Sequence, residues 1–410
     1  MKITFIANEM PYPPNHGGRV DIWRRIKGMH KAGVRLQFIA WQGSNPEHRA
    51  KREDIEELGK YVDEVHLINI DRSWLGRALR LPYLLHYPSL AATMTIASRQ
   101  KRDLSDLVRL YSPSAVWLES IYGAALAQKL TDKHKTPLYV RSHNIEHQYM
   151  RRLAVLATDV QERIALRLNM LHLESLERRL LKRARRFYDC SYDDLLWWQG
   201  QGYDNGIFLP QTIVPEEDFF PSQNPLFQPG EFDVIFMGNL HSPNNVEGLL
   251  WFLEQVLPIV VAARPEARIL IAGSRPKDEI RAACTHHRQI TLMPNPANST
   301  DIYLAGKVLV NPILSGSGVM VKSIEMLFFD GFLVGTRQSI YGIPPAAKAC
   351  FAVTDDAAQF AGYILDFLSG KTSQDIAARR QARADYGLAP LLAALDVIRE
   401  ELQEDGRKPQ

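Results

Sequence analysis

Short apolar runs, many with β-branched residues, punctuate the chain at 3–7, 65–70, 115–118 and 137–140, and stretches with helical spacing lie between them. Near-continuous apolar runs suit strands buried on both faces, and their alternation with helices predicts a parallel sheet covered above and below. Strands at 187–191 and 206–211 extend the series. From 146 to about 186 the apolar positions Leu166, Met170, Leu173, Leu176 and Leu180 mark helix. The basic run Lys182-Arg-Ala-Arg-Arg186 suits its C-terminal end. A second α/β series starts at 234–237 and continues through 267–272, 308–310 and 331–336. Between the two, Phe219-Phe-Pro-Ser-Gln-Asn-Pro-Leu-Phe-Gln-Pro-Gly230 has no apolar period and reads as a linker. The expected organisation is a first domain over 1–218, a linker over 219–232 and a second domain over 233–385. An amphipathic helix over 388–402 then closes the chain, with a disordered polar tail after Gln403.

The stretch 308–329 carries the clearest chemistry. A buried strand at 308–310 ends at Pro312, Ser315-Gly-Ser-Gly318 turns, and Met320, Ile324, Leu327 and Phe328 recur at helical spacing from Val319. The first N–H groups of such a helix lack internal partners and lie at the positive end of its dipole, while the glycines let an anion approach. Lys322, about one turn in, can offer a point charge to a phosphate. Glu325, three residues on, can accept from both hydroxyls of a ribose. The same spacing fits an ordinary surface ion pair.

A glycine pair, Gly17-Gly18, follows the first strand after the Pro-rich loop Asn8-Glu-Met-Pro-Tyr-Pro-Pro-Asn-His and opens a helix through Ile22, Ile26 and Met29. The G-x-G-x-x-G of a dinucleotide fold is absent there, which counts against an NAD enzyme. The fourth strand leads into Arg141-Ser-His-Asn-Ile-Glu-His147. By spacing alone, His143, Glu146 and His147 match the inverted zinc-peptidase pattern. Their place just after a strand instead sets His143 at the carboxyl edge of a sheet, where α/β folds bind ligands. Cys284-Thr-His-His287 offers too few ligands for a metal site. Trp74 to Tyr87 is apolar and basic, with aromatics. It suits a membrane interface or a helix packed on the sheet with solvated arginines, and the second reading is preferred.

Composition sets the bounds. With 410 residues, 46% hydrophobic and 23% charged, the chain is a globular protein of two domains. A formal charge of +3 and a basic run without interleaved aromatics argue against a nucleic-acid partner. The three cysteines, Cys190, Cys284 and Cys350, are scattered and odd in number, as reduced thiols are. The start holds too short an apolar run for a signal peptide, and no stretch of the sequence reads as a bilayer span. The expectation is a cytoplasmic protein, with 74–87 the first candidate for peripheral contact at the inner face of the plasma membrane.

Gly316-Ser-Gly-Val-Met-Val-Lys-Ser-Ile-Glu325 resembles the GSGxRxKxxEA segment of family 4 glycosyltransferases, and the Pro-rich loop with Gly17-Gly18 and the His-Asn-x-Glu after a strand resemble further segments of that family. The resemblance implies a GT-B fold, two Rossmann-like domains facing across a cleft. It implies transfer of a sugar from a nucleotide-diphosphate donor to a hydroxyl of a glycan or lipid-linked saccharide in cell-envelope polysaccharide synthesis, with retention, no metal and no cofactor beyond the donor. The donor set it names is Gly17, Gly18, Gly238, Asn239, Gly316, Ser317, Gly318, Lys322 and Glu325, with His143, Lys322 and Glu325 at the catalytic centre. The glycines and lysine would hold the diphosphate, Glu325 the ribose, His143 the donor sugar, and Gly17-Gly18 the acceptor side. The chain departs from the family in several places. Ser317 stands where many members have a first glutamate, Met320 where a basic residue is common, and Gln211-Thr212 where Pro-Asn-Gly is usual. The loop from Gly238 carries Asn239, Asn244 and Asn245 but no Arg or Lys, so more of the diphosphate's charge falls to Lys322. These departures keep open a protein that binds nucleotide sugars or scaffolds an assembly without turnover. A zinc hydrolase at His143, Glu146 and His147 is the weaker alternative.

Overall fold

The computed structural model describes residues 1–14, 17–43, 49–71, 73–94, 98–156, 159–316 and 318–407. The chain divides into two units, one of Met1–Thr212 with Leu388–Gln410, the other of Ile213–Gly387. The first unit is built on seven parallel strands: β1 (Lys2–Ala7), β2 (Arg35–Gln42), β3 (Glu64–Asn69), β4 (Ala115–Leu118), β5 (Leu138–Ser142), β6 (Arg186–Asp189) and β7 (Gly206–Phe208). Their order across the sheet is β3-β2-β1-β4-β5-β6-β7. Because side chains alternate along a strand, each strand feeds two cores. Ile6, Ile39, Leu118 and Val140 enter one, and Phe5, Phe38, Trp117 and Tyr139 enter the other. Register aligns Phe5 with both Phe38 and Trp117, and their rings stack at 5.9 and 6.4 Å.

The second unit holds β8 (Phe232–Asn239), β9 (Ile269–Ser274), β10 (Ile290–Pro294), β11 (Gly306–Asn311), β12 (Phe332–Gly335) and β13 (Ala352–Val353), in the order β10-β9-β8-β11-β12-β13 and all parallel. Two Rossmann-like domains result, as expected. Strands β10 and β13 were not evident in the sequence, where short, half-buried runs give a weak signal. The helical run at 146–186 is three helices, Glu146–Leu156, Val160–Met170 and Leu173–Arg183.

Four expectations need correction. The division between units falls at 212, ahead of the expected boundary at 218. Ile213 is buried in the second unit's core, and its N–H donates to Tyr386 O at 2.7 Å. The expected linker over 219–232 is packed, since the Phe219 ring meets Phe328 and Phe329 and Phe227 meets Phe232. The closing helix runs Leu388–Arg407, well past Gln403, because Glu401 accepts from Tyr139 Oη at 2.8 Å and Asp405 pairs with Arg185. One helical run, Pro243–Ala263, is long and apolar enough to cross a bilayer, with a mean hydropathy of 1.6. Its Leu249, Phe252, Val256 and Val260 are buried in the second unit's core.

The segment 74–87 also departs from the preferred reading. It forms the helix Trp74–Ala78 and a tight turn of helix Leu81–Leu85, but its large apolar side chains face outward, Trp74 being 78% exposed. A five-residue helix that turns Trp74, Leu75 and Arg77 to solvent cannot also cover a sheet.

Candidate functional site

In a parallel sheet all carboxyl ends emerge along one edge. Strand order reverses between β8 and β11 in the second sheet and between β1 and β4 in the first. Chain leaving such neighbours turns to opposite faces, which opens a crevice for ligands.

In the second unit this point gathers the residues singled out in the sequence. Gly238 and Asn239 end β8, and the turn 312–320 follows β11. Gly316 has φ +150° and Gly318 φ +66°, conformations that favour glycine. Ser317 lies outside the described residues. The helix after the turn is only Val321–Met326, shorter than the spacing from Val319 to Phe328 suggested, so a side-chain cation matters more here than a helix dipole. That cation is Lys322. Its ammonium donates to Asn245 Oδ1 at 3.0 Å and lies 4.1 Å from the centre of the Phe236 ring. Gly238 makes room for it, since a Cβ there would come within 3.0 Å of Nζ. Burial pushes the Lys322 ammonium down to about 7, against the pull of Glu325. Glu325 accepts from the buried Tyr303 hydroxyl, so these two residues are not the ordinary surface pair that their spacing also fitted.

Buried hydroxyls and an amide fix the turn. Asn311 Nδ2 donates to Ser323 Oγ at 2.8 Å, Ser323 Oγ to Ser339 O at 2.5 Å, and Thr336 Oγ1 to Ile313 O. Facing the turn, Asn245 Nδ2 donates to Asn239 O at 2.9 Å and Ser242 Oγ to Asn244 Oδ1 at 2.6 Å. The Gln338 amide nitrogen lies about 4 Å from where a Gly316 Cβ would stand and has no hydrogen-bond partner among the described residues. It is a donor left available beside the glycines.

In the first unit, Gly17 and Gly18 open the helix Gly17–Lys31 after β1, and both are exposed. Behind them lies a buried charge cluster. Asp21 pairs with Arg25 and, at 3.3 Å, with Arg141; Arg25 Nε meets Glu119 Oε1 at 3.2 Å. Trp117 Nε1 donates to Glu119 Oε2 at 2.6 Å. His143 leaves β5 against this cluster, with Nε2 2.9 Å from Glu119 O and 3.3 Å from its Oε1, and Nδ1 3.8 Å from Asp21 Oδ2. Burial pushes the Asp21 carboxyl up, but Arg25, Arg141 and His143 outweigh it and hold it at about 2. Glu119 is likewise kept low by Arg25 and His143 in spite of burial.

The zinc alternative fails on geometry. His143 precedes the helix Glu146–Leu156 that carries Glu146 and His147, so no shared helix face presents all three. His147 Nδ1 is 2.5 Å from Glu177 Oε2, and Glu177 Oε1 accepts from the Glu146 N–H at 2.9 Å. Burial and Glu177 together push the Glu146 carboxyl up to about 7. Among the described residues, the one group of potential ligands that converges is Asp21, Glu119 and His143. Arg25 and Arg141 already balance its charge.

Sequence reasoning missed Asp21, Arg25, Glu119, Arg141, Phe236 and Gln338 as parts of these sites. Asp21 and Arg25 stand four apart on a helix, and Glu119 directly follows a strand, so a signal existed for those three. Nothing local marked Phe236 or Gln338.

Residues 231–370 match the family described as glycosyl transferases group 1. A Klebsiella pneumoniae protein described as an uncharacterized 44.6 kDa protein in the cps region is 26% identical over 382 residues, covering 89% of this chain and 90% of that one. Among solved structures, Anabaena HepE in complex with UDP superposes with a TM-score of 0.65 at 10% identity, over 98% of this chain and 100% of that one. Sucrose-phosphate synthase from Thermosynechococcus elongatus gives a TM-score of 0.64 at 12% identity, over 98% and 99%. The chain has the GT-B fold of these structures, and residues 231–370 of its second unit match the glycosyl transferases group 1 family.

Proposed function

We propose that the protein moves a sugar from a nucleoside diphosphate donor to a hydroxyl of a glycan or lipid-linked saccharide during cell-envelope polysaccharide synthesis, retaining the anomeric configuration. The observation that carries the donor assignment is Lys322, a half-buried ammonium with one neutral amide partner, set beside a glycine turn at the reversal point of the second sheet. A diphosphate there gives the cation the counter-charge that Asn245 cannot. As the glycosidic bond breaks, negative charge grows on the leaving diphosphate, and stabilising that charge is where such a group contributes most. Glu325 is assigned to the ribose, with Tyr303 holding its carboxylate in place. Gln338 and the Asn239–Asn245 turn offer neutral donors to the phosphates. In the first unit, His143 is assigned to the transferred sugar and Gly17-Gly18 to the acceptor. The donor brings its own leaving group, so the reaction needs no further cofactor. The occurrence of a relative in a cps region and the UDP held by Anabaena HepE support the pathway class and the donor class.

A panel of UDP-, GDP- and ADP-sugars tests the reading. Ligand at 100 times its dissociation constant stabilises by about 2.7 kcal/mol and should raise the melting temperature. Lys322→Ala should lower turnover by roughly 10²–10³-fold, the range seen for loss of one charge-stabilising donor. Unchanged turnover in that variant, or no response to any donor, would refute the assignment. Binding without turnover of any donor would favour instead a nucleotide-sugar-binding protein, a reading drawn from the missing basic residue in 239–245.

A further inference from the structure

Two residues assigned to the donor stand one position ahead of buried serines. Lys322 precedes Ser323, Gln338 precedes Ser339, and both serines are fully buried. The serines are joined. Ser323 Oγ donates to Ser339 O at 2.5 Å and accepts from Asn311 Nδ2 at 2.8 Å. Ser339 in turn grips Thr336, its N–H donating to Thr336 Oγ1 at 3.1 Å and its Oγ to Thr336 O at 2.8 Å. Gly335 leaves room for that hydroxyl, since a Cβ there would stand 2.4 Å from Ser339 Oγ. Thr336 closes the circuit by donating to Ile313 O. Hydrogen bonds thus tie together the end of β11, the helix of Lys322 and the short turn Gln338–Ile340.

Gln338 is what this circuit carries toward the glycines. Its Nε2 is buried, has no acceptor among the described residues and lies 3.9 Å from where a Gly316 Cβ would stand. A buried donor without an acceptor costs stability, so its persistence points to an acceptor that a ligand brings. A phosphate oxygen over Gly316 is such an acceptor. Hydrogen bonds weaken steeply when misaligned, so the amide must be set relative to Lys322 if one diphosphate is to meet both. Ser323 does this, because it follows Lys322 in the chain and holds the carbonyl of the residue after Gln338.

We infer that Ser323 is a positioning residue: through Ser339 it aims the Gln338 amide so that this neutral donor and the Lys322 ammonium grip the same diphosphate. The inference rests on the donor assignment proposed above and adds that Ser323 serves binding by way of Gln338.

Titration calorimetry of the full chain with UDP, GDP and ADP tests it. At least one should bind the parent, and that nucleotide is carried through the variants. Ser323→Ala and Gln338→Ala should each weaken it about tenfold. Combined, they should still weaken it about tenfold and not a hundredfold, since the first acts through the second. Gln338→Glu, which sets a carboxylate against phosphate, should weaken it about 10²-fold. Gln338→Ala should melt level with the parent, because its buried nitrogen has no bond to lose. If Ser323→Ala does not fold, Ser339→Ala cuts the same circuit one step on and takes its place in the cycle. Losses that multiply to about a hundredfold in the double variant would overturn the inference, as would Gln338→Glu binding as tightly as the parent. A parent that takes none of the three nucleotides would refute the donor assignment itself, and the inference with it.

Discussion

A lysine shut away from water is a poor cation at neutral pH, and Lys322, whose hydrogen-bond partner is a neutral amide, is so placed. Its ordinary value is 10.5, and in the folded chain burial brings it to about 7. The unfolded chain therefore keeps a proton that the folded chain gives up, and without ligand the fold gains stability as pH rises from about 7 to 10.5. A diphosphate needs the charged form. Its affinity should fall above about pH 7 by at most about tenfold per unit, with uptake of close to one proton on binding. Calorimetry in buffers of different ionisation heat measures that uptake, and Lys322→Arg, charged throughout, should abolish it. Glu146 runs the other way. Its carboxyl, ordinarily at 4.5, stays protonated up to about 7 when folded, so it costs stability as pH rises through that window. Glu146→Gln should melt above the parent at pH 8 and level with it at pH 4, as melting curves across that range will show. Neither environment was legible in the sequence. Phe236 and Asn245 stand 86 and 77 positions before Lys322, and Glu177 comes 31 after Glu146, so only the folded sheets bring them together.

At the scale of elements the sequence reads well where periodicity is strong. Strands β1, β3 to β9, β11 and β12 and the glycine turn after β11 lie close to where their apolar runs placed them. The helix after that turn is the exception. Leu327 and Phe328 donate to residues three positions back, which tightens the last turn, and Phe219 draws Phe328 and Phe329 out of the helical track. Nothing near 319–329 could announce an aromatic partner about a hundred residues earlier. Gly318→Ala, forced to φ +66°, should cost roughly 1–2 kcal/mol. It should weaken nucleotide binding further, since the turn would move off its hydroxyl supports; titration of the variant with UDP measures this. The closing helix depends on Glu401, which meets Tyr139 at 2.8 Å, Arg185 at 3.2 Å and Arg186 at 2.5 Å. Glu401→Ala should lower stability by about 1–3 kcal/mol in urea titrations, chiefly through the donors left unpaired.

For the molecule as a whole, composition and length called for two domains, and the resemblance supplied their type. The exact boundary was hidden because prolines and a lack of period mark 219–230 as loop, whether or not its aromatic rings are docked. Each unit has its own hydrophobic clusters on both faces of its sheet. The second is one continuous segment, Ile213–Gly387. Expressed alone, 213–387 should fold cooperatively and retain nucleotide binding, as circular dichroism and calorimetry can check. A chain ending at 387 should show faster amide exchange in β1, β5 and β6 than the full chain, because Glu401 and Leu391 no longer cover that face.

The first unit is closed by residues made after the whole of the second. Leu391 lies against Gly28, and Arg399 donates to the Ala32 carbonyl oxygen at 2.8 Å. On the ribosome, the first sheet must therefore wait, incompletely clad, while the whole second unit is synthesised and free to fold. Translation order and folding order are reversed, and the unit begun first is the one that finishes maturing after the other.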